Sequence, residues 1–111
     1  MNEINESDWK LFKARIADWQ ERFMGKLVAE YASVMQDETK AASERFWTIE
    51  KRINKDKQLS GVICERKRSS LLRNMITLYA EGAITDEDLD GFSDELVRTV
   101  KAYNKHIDAH H

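Results

Sequence analysis

From Trp9 onward, apolar residues recur at intervals of three and four: Trp9, Phe12, Ile16, Trp19, Phe23, Leu27, Tyr31 and Val34. At 100° per residue these positions fall within an arc of roughly 120°, the width of a stripe that faces a core. Ser7 is suited to cap this helix and Asp8 to sit in its electropositive first turn, so the pattern predicts one helix from about Ser7 to Met35. Such a helix would be about 45 Å long, which is long for a chain of 111 residues and points to a partner. Ala17, Met24, Val28 and Met35 widen the stripe on one edge, so the helix is expected to touch more than one neighbour. On the opposite face Leu11, Ala14, Gly25, Ala29 and Ala32 form a mostly small-residue surface that would let a second helix approach closely. Alanine is also the best helix former on an exposed face, but glycine within a helix costs about 1 kcal/mol and favours contact there. This face is the candidate dimer seam.

The run "DETKAAS" (37–43) breaks the periodicity, and Ser43 can cap a second helix, "ERFWTIEKRINKDK", with Phe46, Ile49 and Ile53 on one side and Trp47 beside them. "QLSG" turns the chain about Gly61 into a third predicted helix, from about Val62 to Glu81. Its apolar side is Cys64, Leu71, Leu72, Met75, Ile76 and Tyr79, and Gly82 supplies a left-handed cap. Thr85 and Asp88 resemble a capping box that starts a short helix through Leu89, with Ile84 tucked into the core. Gly91 ends it and Ser93 caps the last helix, "DELVRTVKAYNKHI", whose inner face is Leu96, Val97, Val100, Tyr103 and Ile107. The expectation is an all-α helical bundle of four main helices plus a short connecting helix, a single domain over 1–111 with 1–6 and 108–111 frayed.

Composition supports that picture. Proline is absent, against an average of about 5%, which favours uninterrupted helices. Four glycines are few for a barrel or sandwich with many tight turns. An apolar fraction of 41% and a charged fraction of 34% describe a soluble globular chain. The start, "MNEINESDWK", carries no apolar stretch resembling a signal peptide, and no segment approaches the roughly 18 apolar residues of a membrane span. Cys64 is the single cysteine, which permits no internal disulfide and fits a reducing compartment, so a cytoplasmic location is expected.

The stretch "EGAITDEDLDGF" (81–92) looks like the exit half of a calcium-binding helix–loop–helix. With Gly82 as the sixth loop position, however, the ligand positions fall to Thr77, Tyr79, Glu81 and Asp88, a poor oxygen set. The acids read instead as helix starts, and no calcium is expected. His106, His110 and His111 lie at the C-terminal end, too few for a structural zinc site. No phosphate-binding glycine loop or nucleophile motif occurs, and no histidine precedes His106 to act as a general base. The expectation is no catalytic residue, no metal and no cofactor.

Charge is uneven: residues 1–39 carry a net −3, 40–73 a net +6 and 74–111 a net −5. Within the basic centre, Arg66, Lys67, Ser70, Arg73 and Asn74 are the candidate face for nucleic acid or another anionic partner, since arginine and asparagine read base edges while lysine and serine hold phosphates. The overall acidity, with a pI near 5.9, weighs against a dedicated DNA-binding domain. A solvated face paired with the chain's own acids is the simpler account. The aromatic residues at helical spacing read mainly as core, with an exposed one or two marking a protein interface.

The segments "FWTIEKRINKDKQLSGV" and "LYAEGAITDEDLDGFSDELVRTV" resemble small all-helical proteins of Firmicutes bacteria and their mobile elements. The resemblance spans about residues 9–100 and implies a cytoplasmic bacterial setting; it carries no activity and no site residues. A secreted WXG-type hairpin fits the length but not the sequence, which lacks the W-x-G turn. The sequence thus points to a non-enzymatic protein–protein interaction or regulatory module, a homodimer through the first helix, with a small DNA- or RNA-binding regulator as the alternative.

Overall fold

In the computed structural model, which describes residues 5–109 and side chains as far as Lys105, the chain forms four helices. These are α1 (Glu6–Met35), α2 (Ala42–Asp56), α3 (Leu71–Ala80) and α4 (Asp94–Ala109). Single 3₁₀ turns at Arg68–Ser70 and Glu87–Leu89 precede α3 and α4. There is no strand among the described residues. The all-α architecture with a long first helix is therefore as the periodicity predicts. Most of the ends expected to fray, and the side chains of His106 and Ile107, lie outside the described residues.

The start of α1 shows why one capping residue displaced another. Asn5 rather than Ser7 is the cap, its Oδ1 accepting the Ser7 N–H at 2.8 Å and the Asp8 N–H at 3.2 Å. Asparagine caps as well as serine. Asp8 is buried and spans to the other end of the chain, accepting the Ser93 N–H at 2.8 Å and its hydroxyl at 2.6 Å. Ser93 in turn caps α4, accepting the Leu96 N–H on Oγ at 3.3 Å. One carboxylate thus joins the first turns of two helices, where both dipoles favour negative charge. Ser43, by contrast, lies inside α2, whose cap position is Ala41 with no side-chain bond.

The third helix is shorter than its sequence pattern predicts, starting at Leu71 instead of near Val62. Residues 63–67 are irregular, and side chains hold them where helical bonds would have been. Gln20, buried on α1, donates to the Ser60 carbonyl at 2.9 Å and accepts from Arg66 at 2.6 Å. Asn74 donates to the Glu65 carbonyl at 2.7 Å, and the Ser70 hydroxyl to the Glu65 carboxylate at 2.9 Å. β-Branched Val62 and Ile63 and the paired Ser69 and Ser70 are weak helix formers, and serine hydroxyls compete for backbone groups. The local preference therefore yields to these tertiary bonds.

One core fills the space between α1, α3, α4 and the α3–α4 connection. Phe12, Ile16, Trp19, Phe23 and Leu27 of α1 meet Leu71, Met75 and Leu78 of α3 and Leu96 and Val100 of α4. The connection adds Ala83, Ile84, Leu89 and Phe92. The end of α3 is a Schellman motif: Gly82 sits at φ 78°, its N–H bonds the Tyr79 carbonyl, and the Ala83 N–H bonds the Leu78 carbonyl. Thr85 N–H donates to the Asp88 carboxylate at 2.8 Å, the bond a capping box requires. Arg22 reaches across from α1 to grip Asp88 with both terminal nitrogens, at 2.7 and 3.2 Å, and to donate to the Ala83 carbonyl at 2.8 Å. Arg15 donates to the Asp90 carbonyl at 2.8 Å. Arginines of α1 therefore hold the acidic stretch 81–92.

A candidate interaction surface on the second helix

No apolar side chain of α2 belongs to the core, and the only fully buried residue of the helix is Asp56. The reason lies in how α2 docks. It returns along the distal half of α1, and the contacts between them are mainly polar. Arg52 bonds Glu30 at 2.6 Å, approaches Asp56 at 3.4 Å and lies over the Tyr31 ring at 5.3 Å. Tyr31 donates to Asp56 at 2.6 Å, and Arg45 donates to the Met35 carbonyl at 2.5 Å. Partial burial, then the Asp56 carboxylate, push the Tyr31 phenol up to about 12. Arg45, Arg52 and Asp56 lie at i, i+7 and i+11, one side of a helix.

The flank next to that docked side is apolar and open. Phe46 is 64% exposed, Trp47 58% and Ile53 44%, with Met35 of α1 at 57% beside them. Together with Ala42 and Ile49 these side chains, Trp47 excepted, line a groove of about 510 Å³. Trp47 packs edge-on against Phe46 with ring centroids 4.9 Å apart. Glu50 and Asn54 form the polar rim and are hydrogen-bonded to each other. Arg45, on the opposite rim, carries a buried Nε that has no acceptor among the described residues. Phe46, Ile49 and Ile53 do share one side of a helix as their spacing implies, but that side points away from the core.

The small-residue face of α1 is partly engaged. Leu11 is half-buried and approaches Gly91, where an added Cβ would lie 3.0 Å from its Cδ2. Ala14, Gly25 and Ala29 are exposed and Ala32 half-buried, and nothing lies within 4 Å of where a Cβ of Gly25 would be. Leu11 thus belongs to the α1–loop contact, while Ala14, Gly25 and Ala29 leave an open stripe.

The five residues of the candidate anionic-partner face do not share one helix face. Arg66 and Lys67 precede α3 in irregular chain, Ser70 and Asn74 are buried, and only Arg73 projects from the helix. What gathers most of them is Glu65: Ser70 donates to it, Lys67 lies at 3.7 Å and Arg73 at 3.5 Å, and Asn74 holds its carbonyl. The Ser70 hydrogen bond, then the Lys67 charge, hold the Glu65 carboxyl below its usual range. Arg66 is bound to Gln20 and Arg68 to Glu6.

Cys64 is half-buried, burial pushes its thiol up, and it accepts a long bond from Gln20 at 3.7 Å. A raised thiol favours the unreactive protonated form. Among the described residues no three His, Cys, Asp or Glu side chains are grouped to hold a metal, and no helix is long and apolar enough to cross a membrane. Sequence reasoning passed over Gln20, and it missed the long-range partners of Asp8 and Glu81. Glu81 accepts the N–H groups of Ser60 and Gly61 at 3.0 and 3.1 Å. Each is a polar residue beside an apolar stripe, a weak signal because most such residues are solvated. Searches against protein-family models, curated proteins and solved structures found no match to this chain.

Proposed function

We propose that this protein is a non-enzymatic protein–protein interaction module that receives an apolar helix on the open face of α2 and works as a homodimer. The carrying observation is a 15-residue helix whose large apolar side chains face solvent while its polar side holds it to α1. Contiguous exposed apolar surface of this kind marks interaction sites in soluble proteins. Phe46 and Trp47 suit the role, because aromatic anchors dominate binding energy at interfaces. A cytoplasmic setting accords with the single cysteine, which can form no internal disulfide.

The reading is tested with a photo-crosslinking amino acid at position 46 in cells, with Lys10 as the control position. Discrete adducts from position 46 and none from position 10 are expected; equal labelling from both positions rejects the reading. The alternative, a DNA- or RNA-binding regulator using Arg66, Lys67, Ser70, Arg73 and Asn74, has less support because those side chains bond within the chain. A mobility shift at low salt that weakens steeply with added salt would favour it.

A further inference from the structure

We infer that the occupant of the α2 groove is the same groove of a second copy, the two α1–α2 hairpins closing face to face about a two-fold axis into a four-helix bundle. The inference rests on the interaction-module reading and names its partner.

Shape is the first support. The radius of gyration is 16.7 Å and the longest dimension 53 Å, against about 13 Å expected for the radius of a compact domain of this length. The α2 arm of the α1–α2 hairpin gives no apolar side chain to the core. Two packed helices cannot enclose a core, whereas two hairpins with open apolar faces can form a bundle.

Area is the second. Met35, Phe46, Trp47 and Ile53 expose, by their fractions, on the order of 400 Å² of apolar surface. Interfaces are roughly 60% apolar, so such a patch implies about 650 Å² per copy and about 1,300 Å² in all. That total falls at the lower end of stable, specific interfaces. The patch is thus large enough for a reversible dimer.

Charge is the third. Between Lys26 and Lys57 the hairpin carries seven basic and six acidic side chains, a net of +1. Two copies therefore approach without strong repulsion, and no one-sided field selects a highly charged partner. The rim pair Glu50–Asn54 is already satisfied within one chain. An isologous contact, in which the same patch serves both copies, is the commonest closed arrangement.

Sedimentation velocity of the full chain from about 1 to about 500 µM brackets the micromolar dissociation constant expected of an interface this size. A reversible monomer–dimer equilibrium is expected. Phe46→Asp together with Ile53→Asp should weaken it by about 100-fold. Because both side chains are already exposed in the single chain, helical content and Tm measured at dilutions where the chain is monomeric should be unchanged. Ala29→Glu, on the small-residue face of α1, should leave association intact. A wild-type chain that stays monomeric throughout overturns the inference, as does a dimer that resists the double substitution or is broken by Ala29→Glu alone. A monomeric chain that still crosslinks to a different protein from position 46 overturns self-pairing, and with it the homodimer part of the proposed function, but keeps the interaction module; a monomer with no adduct overturns both.

Discussion

Replacing Asp8 with alanine tests the contact that closes the fold between its two ends. The Asp8 carboxylate is 3% exposed and accepts two hydrogen bonds from Ser93, 85 residues along the chain. Each bond to a charged acceptor contributes about 1.5–3 kcal/mol, but they share both residues and do not fully add. The favourable placement at two helix starts adds about 0.5 kcal/mol. Exposure of the Ser93 hydroxyl to water on truncation offsets part of the loss, leaving a net cost of about 3 kcal/mol. With an unfolding entropy of about 0.23 kcal/mol/K for a chain this long, Tm should fall by about 13 °C. Asp8→Asn keeps an acceptor for the Ser93 N–H and should cost about 1 kcal/mol, or about 4 °C. Thermal unfolding followed by circular dichroism, with calorimetry for the enthalpy, provides the measurement. A loss below about 1 kcal/mol in Asp8→Ala, or equal losses in the two variants, would refute the reasoning. A double-mutant cycle with Ser93→Ala should show coupling of at least about 1 kcal/mol.

Gly61→Ala should destabilise by about 2 kcal/mol, because the new methyl would lie 2.3 Å from Cδ2 of Phe23, a core side chain with little room to move; an unchanged urea midpoint would contradict this. Tyr31 should ionise near pH 12, as followed by ultraviolet absorbance, and Tyr31→Phe should remove that step. Since its folded-state pKa is raised, Tyr31 stabilises the fold below about pH 10, and this contribution is lost as pH rises from 10 towards 12. Burial opposes the charged form of Asp88, but Arg22 and Thr85 outweigh it and hold the carboxyl below its ordinary value. Its stabilisation is therefore present above about pH 4 and lost as acid protonates it. Asp88→Asn should lower stability at neutral pH by about 1–2 kcal/mol and flatten the dependence below pH 4 in denaturant titrations, whereas an unaltered acid slope would count against the Arg22 contact.

The helical elements were legible because their signals are local. The α1 stripe from Phe12 to Leu27 is buried as its spacing implies, and Gly82, Thr85, Gly91 and Ser93 punctuate the chain through dihedral preference and short-range bonds. The start of α3 was not legible, because what ends the irregular segment before it is a set of bonds to Gln20 on α1 and to Asn74. Nor was the assembly of Arg66, Lys67, Ser70, Arg73 and Asn74: a helix begun at Val62 would have aligned them, whereas a helix begun at Leu71 gathers most of them around Glu65.

The apolar face of α2 divides the two kinds of information most clearly. Periodicity alone determined that Phe46, Ile49 and Ile53 lie together on a helix, because side-chain direction follows from 3.6 residues per turn. Tertiary structure decided which way that side faces. Arg45, Arg52 and Asp56 find Met35, Glu30 and Tyr31 on α1, and that docking leaves the adjoining apolar flank open to solvent. A hydrophobic pattern states what must be covered, and only the packing of the other helices states whether this chain covers it.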